Sequence, residues 1–157
     1  MNAIQPVDVF AQDGAAVTAP LTERRRATDV TPRELFYEIL ALALAGLYTK
    51  VPLGAPLFDR NMIRSVTGHM TDNDAGRLVM KAEDWVRQEN IVRAQEGQKS
   101  YSASAATLAA LESGGSDGAL GERLERAARS YAGETPSPDQ RRETRQLAAE
   151  FLKTFRP

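Results

Sequence analysis

Residues 57–111, LFDRNMIRSVTGHMTDNDAGRLVMKAEDWVRQENIVRAQEGQKSYSASAATLAAL, decide the fold, because the apolar period changes along them. Phe58, Met62, Ile63 and Val66 fall on one side of a helix over about Leu57–Thr67, with Arg60, Asn61 and Arg64 outside. Gly68 is placed to close that helix in the left-handed conformation. Thr71 then caps a second helix, with Asp74 an acid near its positive end. That helix, from about Asp72 to Glu89, repeats Ala75, Leu78, Val79, Ala82, Trp85 and Val86 on one stripe and turns Asn73, Arg77, Lys81 and Asp84 outward. After Glu89 the helical period stops. Ile91, Val92 and Tyr101 favour strand, and the polar Gln95–Gln98 around Gly97 suits a hairpin pairing Ile91–Ala94 with Ser100–Ala103. Ser104 caps a further short helix through Thr107, Leu108 and Leu111.

Upstream, Thr31, Pro32 and Glu34 read as a capping box with Pro at the first helical position. The helix they start, about Pro32–Tyr48, carries Leu35, Phe36, Ile39, Leu40, Ala43, Leu44, Leu47 and Tyr48 on one broad face, with Leu42 on another side. It reads as the central core helix, ended by the loop Pro52–Pro56. Residues 1–29 have no sustained period and read as a flexible tail whose one charge run is Arg24–Arg26, a solvated flank or an arm that touches DNA. Downstream, residues 113–118 have the composition of a flexible linker. Leu120, Leu124, Ala127, Ala128 and Tyr131 then mark a helix stopped at Gly133. Ser137, Pro138 and Gln140 form a second capping box, opening a last helix with Leu147, Ala148, Phe151, Leu152 and Phe155. The organisation expected is a tail over 1–29, a domain over 30–112, a linker over 113–118 and a helical extension over 119–157. The two stripes of the extension must be covered. A homodimer through them is expected, with folding back onto the chain's own core as the alternative.

The order helix, tight turn, longer helix, hairpin, helix is the plan of a winged helix-turn-helix, so the fold class expected is mainly α with a short β-hairpin wing and a C-terminal helical extension. Over Trp85–Leu111, and most of all in ENIVRAQEGQKSYSASAATLAAL, the chain resembles winged-helix transcription regulators of the general MarR and PadR kind. The resemblance is one of pattern over about half the chain. It implies a recognition helix leading into a hairpin wing and a DNA-binding regulator. The wing departs from the usual pattern, because Glu96 dilutes Arg93 and Lys99.

Candidate DNA contacts are Arg60, Arg64, Asn73, Arg77 and Lys81 on the two helices, with Arg93 and Lys99 on the wing. Arg can make a paired contact to guanine and Asn to adenine. Against this stand a net charge of −1 for the 157 residues and seven acidic residues matching seven basic ones over Asp59–Lys99. The expectation is a regulator acting on double-stranded DNA. The alternative is a non-catalytic winged-helix module that docks on a protein partner in a larger assembly.

No enzyme is expected. The chain has no Cys, hence no thiol nucleophile and no cysteine-ligated zinc. His69, the only histidine, lies in the inter-helix turn without a second imidazole to share a metal. Asp72 and Asp74 are explained by helix capping, and Ser100, Ser102 and Ser104 lack a nearby base. No metal or cofactor is expected. Met1–Ala19 lacks the basic and apolar regions of a signal peptide, and the longest apolar run, Ile39–Tyr48, is short of the ~18 residues a span needs. A cytoplasmic protein without a membrane partner is the expectation.

Overall fold

The centre of the fold is helix α1 (Pro32–Thr49), which is apolar almost all round. Leu35, Ile39, Leu40, Leu44 and Leu47 are buried, and so are Ala41, Leu42, Ala43 and Ala45. The structure is a computed structural model that describes residues 30–50, 57–58, 60–94, 101–132 and 135–156, without the side chains of residues 60–62. The tail with Arg24–Arg26, the loop Pro52–Pro56, the hairpin tip with Lys99, Gly133, and the side chains of Arg60, Asn61 and Met62 lie outside the described residues. The chain divides into residues 1–31 and a compact unit, Pro32–Pro157, that holds every helix and strand among the described residues.

Around α1 run α2 (Arg60–Thr67), α3 (Asp72–Gln88), the hairpin β1 (Val92–Ala94) and β2 (Tyr101–Ala103), and α4 (Ala105–Glu112). A second small hairpin, β3 (Gly114–Gly115) and β4 (Gly118–Ala119), leads into α5 (Leu120–Arg129) and then α6 (Pro138–Phe155). The molecule is therefore mainly helical with a two-stranded antiparallel hairpin. Among the described residues no helix is long and apolar enough to cross a membrane.

The stripes of the last two helices are covered by their own chain. Both helices pack on α1 and on each other. Leu120, Leu124, Ala128 and Tyr131 are buried, as are Leu147, Ala148 and Phe151, while Leu152 and Phe155 are half-buried. At the α1–α5 crossing, a Cβ on Gly121 would stand 2.5 Å from the Tyr48 ring, so only glycine lets the helices come this close. The need for cover that motivated a dimer through these helices is met within one chain. Residues 113–118 are likewise more ordered than a Gly/Ser linker. Gly114 pairs with Ala119 and Gly115 with Gly118, with Gly118 at φ 102°. A Cβ at Gly114 would collide with the Gly118 carbonyl at 2.2 Å, so the glycines here serve a tight turn.

Several helix ends follow the sequence reading. Thr71 accepts from the Asp74 amide, Ser104 from that of Thr107, and Ser137 from that of Gln140. The Gln140 side chain returns the bond to the Ser137 amide, which completes the capping box. Other ends differ. Leu57 and Phe58 precede the helix that begins at Arg60. Gly68 does not take the left-handed conformation. Its service is room, since a Cβ there would press on the Arg64 carbonyl at 3.1 Å. The left-handed residue is Asn90, φ 62°, just past α3. Its amide donates to the Arg87 carbonyl and that of Ile91 to Val86, with Ile91 and Val86 both buried. This is a Schellman closure with Asn in the glycine place, and it stops α3 and aims the chain into β1. Ile91 accordingly precedes the strand that was expected to include it.

Candidate nucleic-acid interface

α2 and α3 are joined by Gly68–Thr71, with the Met70 amide bonded to the Thr67 carbonyl. α2 has a polar outer side that carries Arg64, which is exposed, while Val66 and Thr67 are buried. α3 buries Ala82 and Val86 and exposes Asn73, Arg77, Lys81, Asp84 and Arg87. The spacing of Asn73, Arg77 and Lys81, one turn apart each, lays them in a row along one edge of the helix.

The hairpin is fixed to this pair of helices. Val92 pairs with Ala103, Arg93 with Ser102 and Ala94 with Tyr101. The Tyr101 hydroxyl donates to the Glu83 carboxylate on α3. That bond, with burial, raises the Tyr101 pKa. The Ile91 carbonyl accepts from the Ser104 amide at 3.1 Å and from the Thr107 hydroxyl at 2.8 Å, which ties the start of α4 to the foot of the hairpin. Arg93 is exposed on β1. The structure thus puts Arg64, Asn73, Arg77, Lys81 and Arg93 on exposed positions of α2, α3 and β1.

The charge on this face is largely answered locally. Arg77 donates to Asp74 at 3.1 Å and Arg87 to Asp84 at 3.1 Å, one turn back on the same helix. Both pairs are exposed, so each is weak and can be exchanged for another anion. Lys81 makes no ion pair among the described residues. Met80, 65 % exposed, stands in the same face and gives it one large apolar side chain. His69 is exposed in the turn, and no cluster of metal-ligating side chains is present among the described residues. Ser104 is engaged with Thr107. Trp85 is half-buried, edge-on to Phe36 at 5.1 Å, with the Arg156 guanidinium over its ring at 5.9 Å.

Sequence reasoning passed over the most connected polar group of the fold. Glu38 on α1 is fully buried. It accepts from Arg141 Nε at 2.9 Å and Nη2 at 3.1 Å, from Arg145 at 3.0 Å and from the Tyr131 hydroxyl at 2.7 Å. Each oxygen holds two donors, so the carboxylate has no lone pair left for acid–base work and its role is to join helices. Arg141 also donates to the Val66 carbonyl at 3.3 Å, which anchors α2 to α6. Burial pulls the Arg141 pKa down, but the bonds and charge of Glu38 outweigh it and hold the guanidinium above its ordinary value. The signal for this cluster was a Glu inside a helix otherwise apolar all round, with two Arg one turn apart beside the stripe of the last helix.

Compared with models of protein families, with curated proteins and with solved structures, the chain finds no match in any of the three.

Proposed function

We propose that the chain is a winged helix-turn-helix regulator, of the general MarR and PadR kind, that binds double-stranded DNA. α3 is its recognition helix and the β1–β2 hairpin its wing. The observation that carries the reading is the succession α2, turn, α3, hairpin, with Asn73, Arg77 and Lys81 in an exposed row on α3 and Arg93 exposed on the hairpin. The row can reach base edges, where Arg and Asn make paired contacts. Arg64, Arg93, and on the sequence alone Arg60 and Lys99, serve the phosphates. The reading carries a homodimer, two modules on two half-sites one helical turn apart, held by a surface other than the stripes that α5 and α6 bury within the chain.

A second reading has its own observation. Met80 exposed in the middle of α3, between Asp74–Arg77 and Asp84–Arg87 pairs that leave little net charge, suits a protein partner docking on the same face. Titrating the purified chain with labelled duplex DNA at low and at physiological salt separates the two. The DNA reading expects binding that weakens steeply as salt rises. Absence of binding at low salt overturns it in favour of the docking module.

A further inference from the structure

An isolated pair of short strands is marginally stable in water, so the β1–β2 hairpin has to be held by what it packs on. At its foot Val92 and Ala103 are buried, and the Ile91 carbonyl takes the Ser104 amide and the Thr107 hydroxyl. Farther out, Arg93 and Ala94 are exposed on β1, and the outermost described pair is Ala94 with Tyr101. Tyr101 turns back to α3. It is half-buried, its hydroxyl donates to the Glu83 carboxylate, and the Arg87 guanidinium acts on the same hydroxyl from one turn farther along α3. Glu83 is itself half-buried. Two residues on from Lys81, it lies on another side of the helix than the exposed row. The bond therefore holds the hairpin to α3 without covering Asn73, Arg77 or Lys81.

We infer that Tyr101 is a positioning residue of the candidate interface: through Glu83 it holds the outer part of the hairpin at a fixed angle to α3, so that Arg93 and the row on α3 meet one duplex as a single body. The inference rests on the DNA reading, in which Tyr101 itself touches no DNA. A hairpin held at its foot alone can swing, and the freedom that Arg93 then loses on DNA subtracts from its phosphate contact. A hairpin held at both ends has already lost that freedom on folding. Glu83 acts in two opposed ways, since its charge repels phosphate while its oxygen fixes the hairpin. Substitutions of equal charge separate the two.

The full chain is titrated with a labelled mixed-sequence duplex at several salt concentrations, as wild type, Tyr101→Phe, Glu83→Gln and Glu83→Ala. Tyr101→Phe keeps the ring and removes only the hydroxyl. It is expected to weaken binding several-fold and to make the salt slope shallower by about one. Arg93→Ala is expected to do the same in the wild type and to add little to Tyr101→Phe, whereas Arg77→Ala has the same effect in both. Glu83→Gln keeps an oxygen that accepts from Tyr101 and Glu83→Ala does not, so the first is expected to bind several-fold more tightly than the second. Without DNA, the amides of Val92–Ala94 and Tyr101–Ala103 are expected to exchange hydrogen faster in Tyr101→Phe, with those of α1 unchanged. Equal binding by wild type and Tyr101→Phe, full additivity of Tyr101→Phe with Arg93→Ala, equal affinity of the two Glu83 variants, or unchanged exchange in the hairpin overturns the inference and leaves the DNA reading standing. Absence of wild-type binding at low salt instead overturns the DNA reading, and the inference with it.

Discussion

Glu38 on α1 and Arg141 on α6, 103 residues apart in sequence, meet in a two-point contact at 2.9 and 3.1 Å. The carboxylate is fully buried, while Arg141 and Arg145 keep 20 % and 17 % of their side chains exposed. Burying an acid is costly, and here the cost is offset by four donors. Removing the acid strands two guanidinium groups against an apolar helix. Glu38→Ala is therefore expected to cost ~3–5 kcal/mol in urea unfolding. Replacing Glu38, Arg141 and Arg145 together by Leu is expected to cost less than Glu38→Leu alone, since no charge is then left without a partner. A Glu38→Ala protein within ~1 kcal/mol of wild type would mean that water reaches the cluster.

Tyr131 links that cluster to pH. Burial first, then the Glu38 charge and hydrogen bond, raise the pKa of its hydroxyl above the ordinary 10.0, against the opposing pull of Thr144 and Arg141. The unfolded chain ionises this group near 10 and the folded chain only at higher pH. Above pH 10 the unfolded state therefore binds fewer protons than the folded one, and stability falls as pH rises. Tyr48 and Tyr101 are raised too and act in the same sense. Stability measured by urea midpoints is expected to be level just below that pH and to decline above it, with a smaller decline in Tyr131→Phe. An equal decline in the variant would remove Tyr131 as a source.

The end of α3 offers a cleaner backbone test. Asn90 holds φ 62°, a conformation that costs most residues ~1–2 kcal/mol and glycine almost nothing. Asn90→Ala is expected to destabilise by ~1 kcal/mol and Asn90→Gly to be neutral or slightly stabilising. The reverse order in thermal unfolding would show that the Asn side chain, rather than its backbone, closes the helix.

These residues mark where the sequence was legible. The caps at Thr71, Ser104 and Ser137 could be read because a hydroxyl accepting a nearby amide is a local event. The α2–α3 turn, the hairpin and the two C-terminal helices were legible from period alone. Asn90 was not, because an Asn before Ile91 and Val92 also looks like the first residue of a strand. The sequence reading places α5 and α6 against a second copy, with folding back as the alternative; their packing on α1 follows the alternative, because amphipathic stripes show that a partner exists and not which one. The Glu38 cluster depends on residues over 90 positions apart, beyond any local pattern. For the candidate interface, the row Asn73, Arg77 and Lys81 was readable as a face. The Asp74 and Asp84 pairings were readable only as an overall charge balance, and the bond from Tyr101 to Glu83 depends on how the hairpin lies against α3.

On the DNA reading, Arg77→Ala is expected to weaken specific binding by ~1–3 kcal/mol, the value of a paired base contact. Arg60→Ala and Lys99→Ala are expected to weaken all sequences alike and to flatten the salt slope. Asp74 competes with DNA for Arg77 at 3.1 Å. Asp74→Asn keeps the backbone amide that Thr71 caps while removing the competing charge, and it is expected to tighten binding to every sequence. Fluorescence anisotropy on the set decides this. Asp74→Asn binding no more tightly than wild type would show that Arg77 does not exchange its partner for DNA.

Truncation after Glu112 tests whether residues 30–112 stand alone. It deletes Leu120, Leu124, Tyr131, Leu147 and Phe151, all buried on or beside α1. At ~1.5–3 kcal/mol for each large apolar side chain, their loss is of the order of the entire stability of a small domain, ~5–15 kcal/mol. The cut also exposes the apolar flank of α1 and leaves Glu38 buried or bare without Arg141, Arg145 and Tyr131. The truncated chain is expected to lose its cooperative thermal transition and to aggregate in light scattering. Leu124→Asp in the full chain asks the same question of assembly. With the stripe inside one chain, the substitution is expected to lower the unfolding temperature at every protein concentration. A variant that keeps its unfolding temperature but passes from dimer to monomer would instead place Leu124 between two copies.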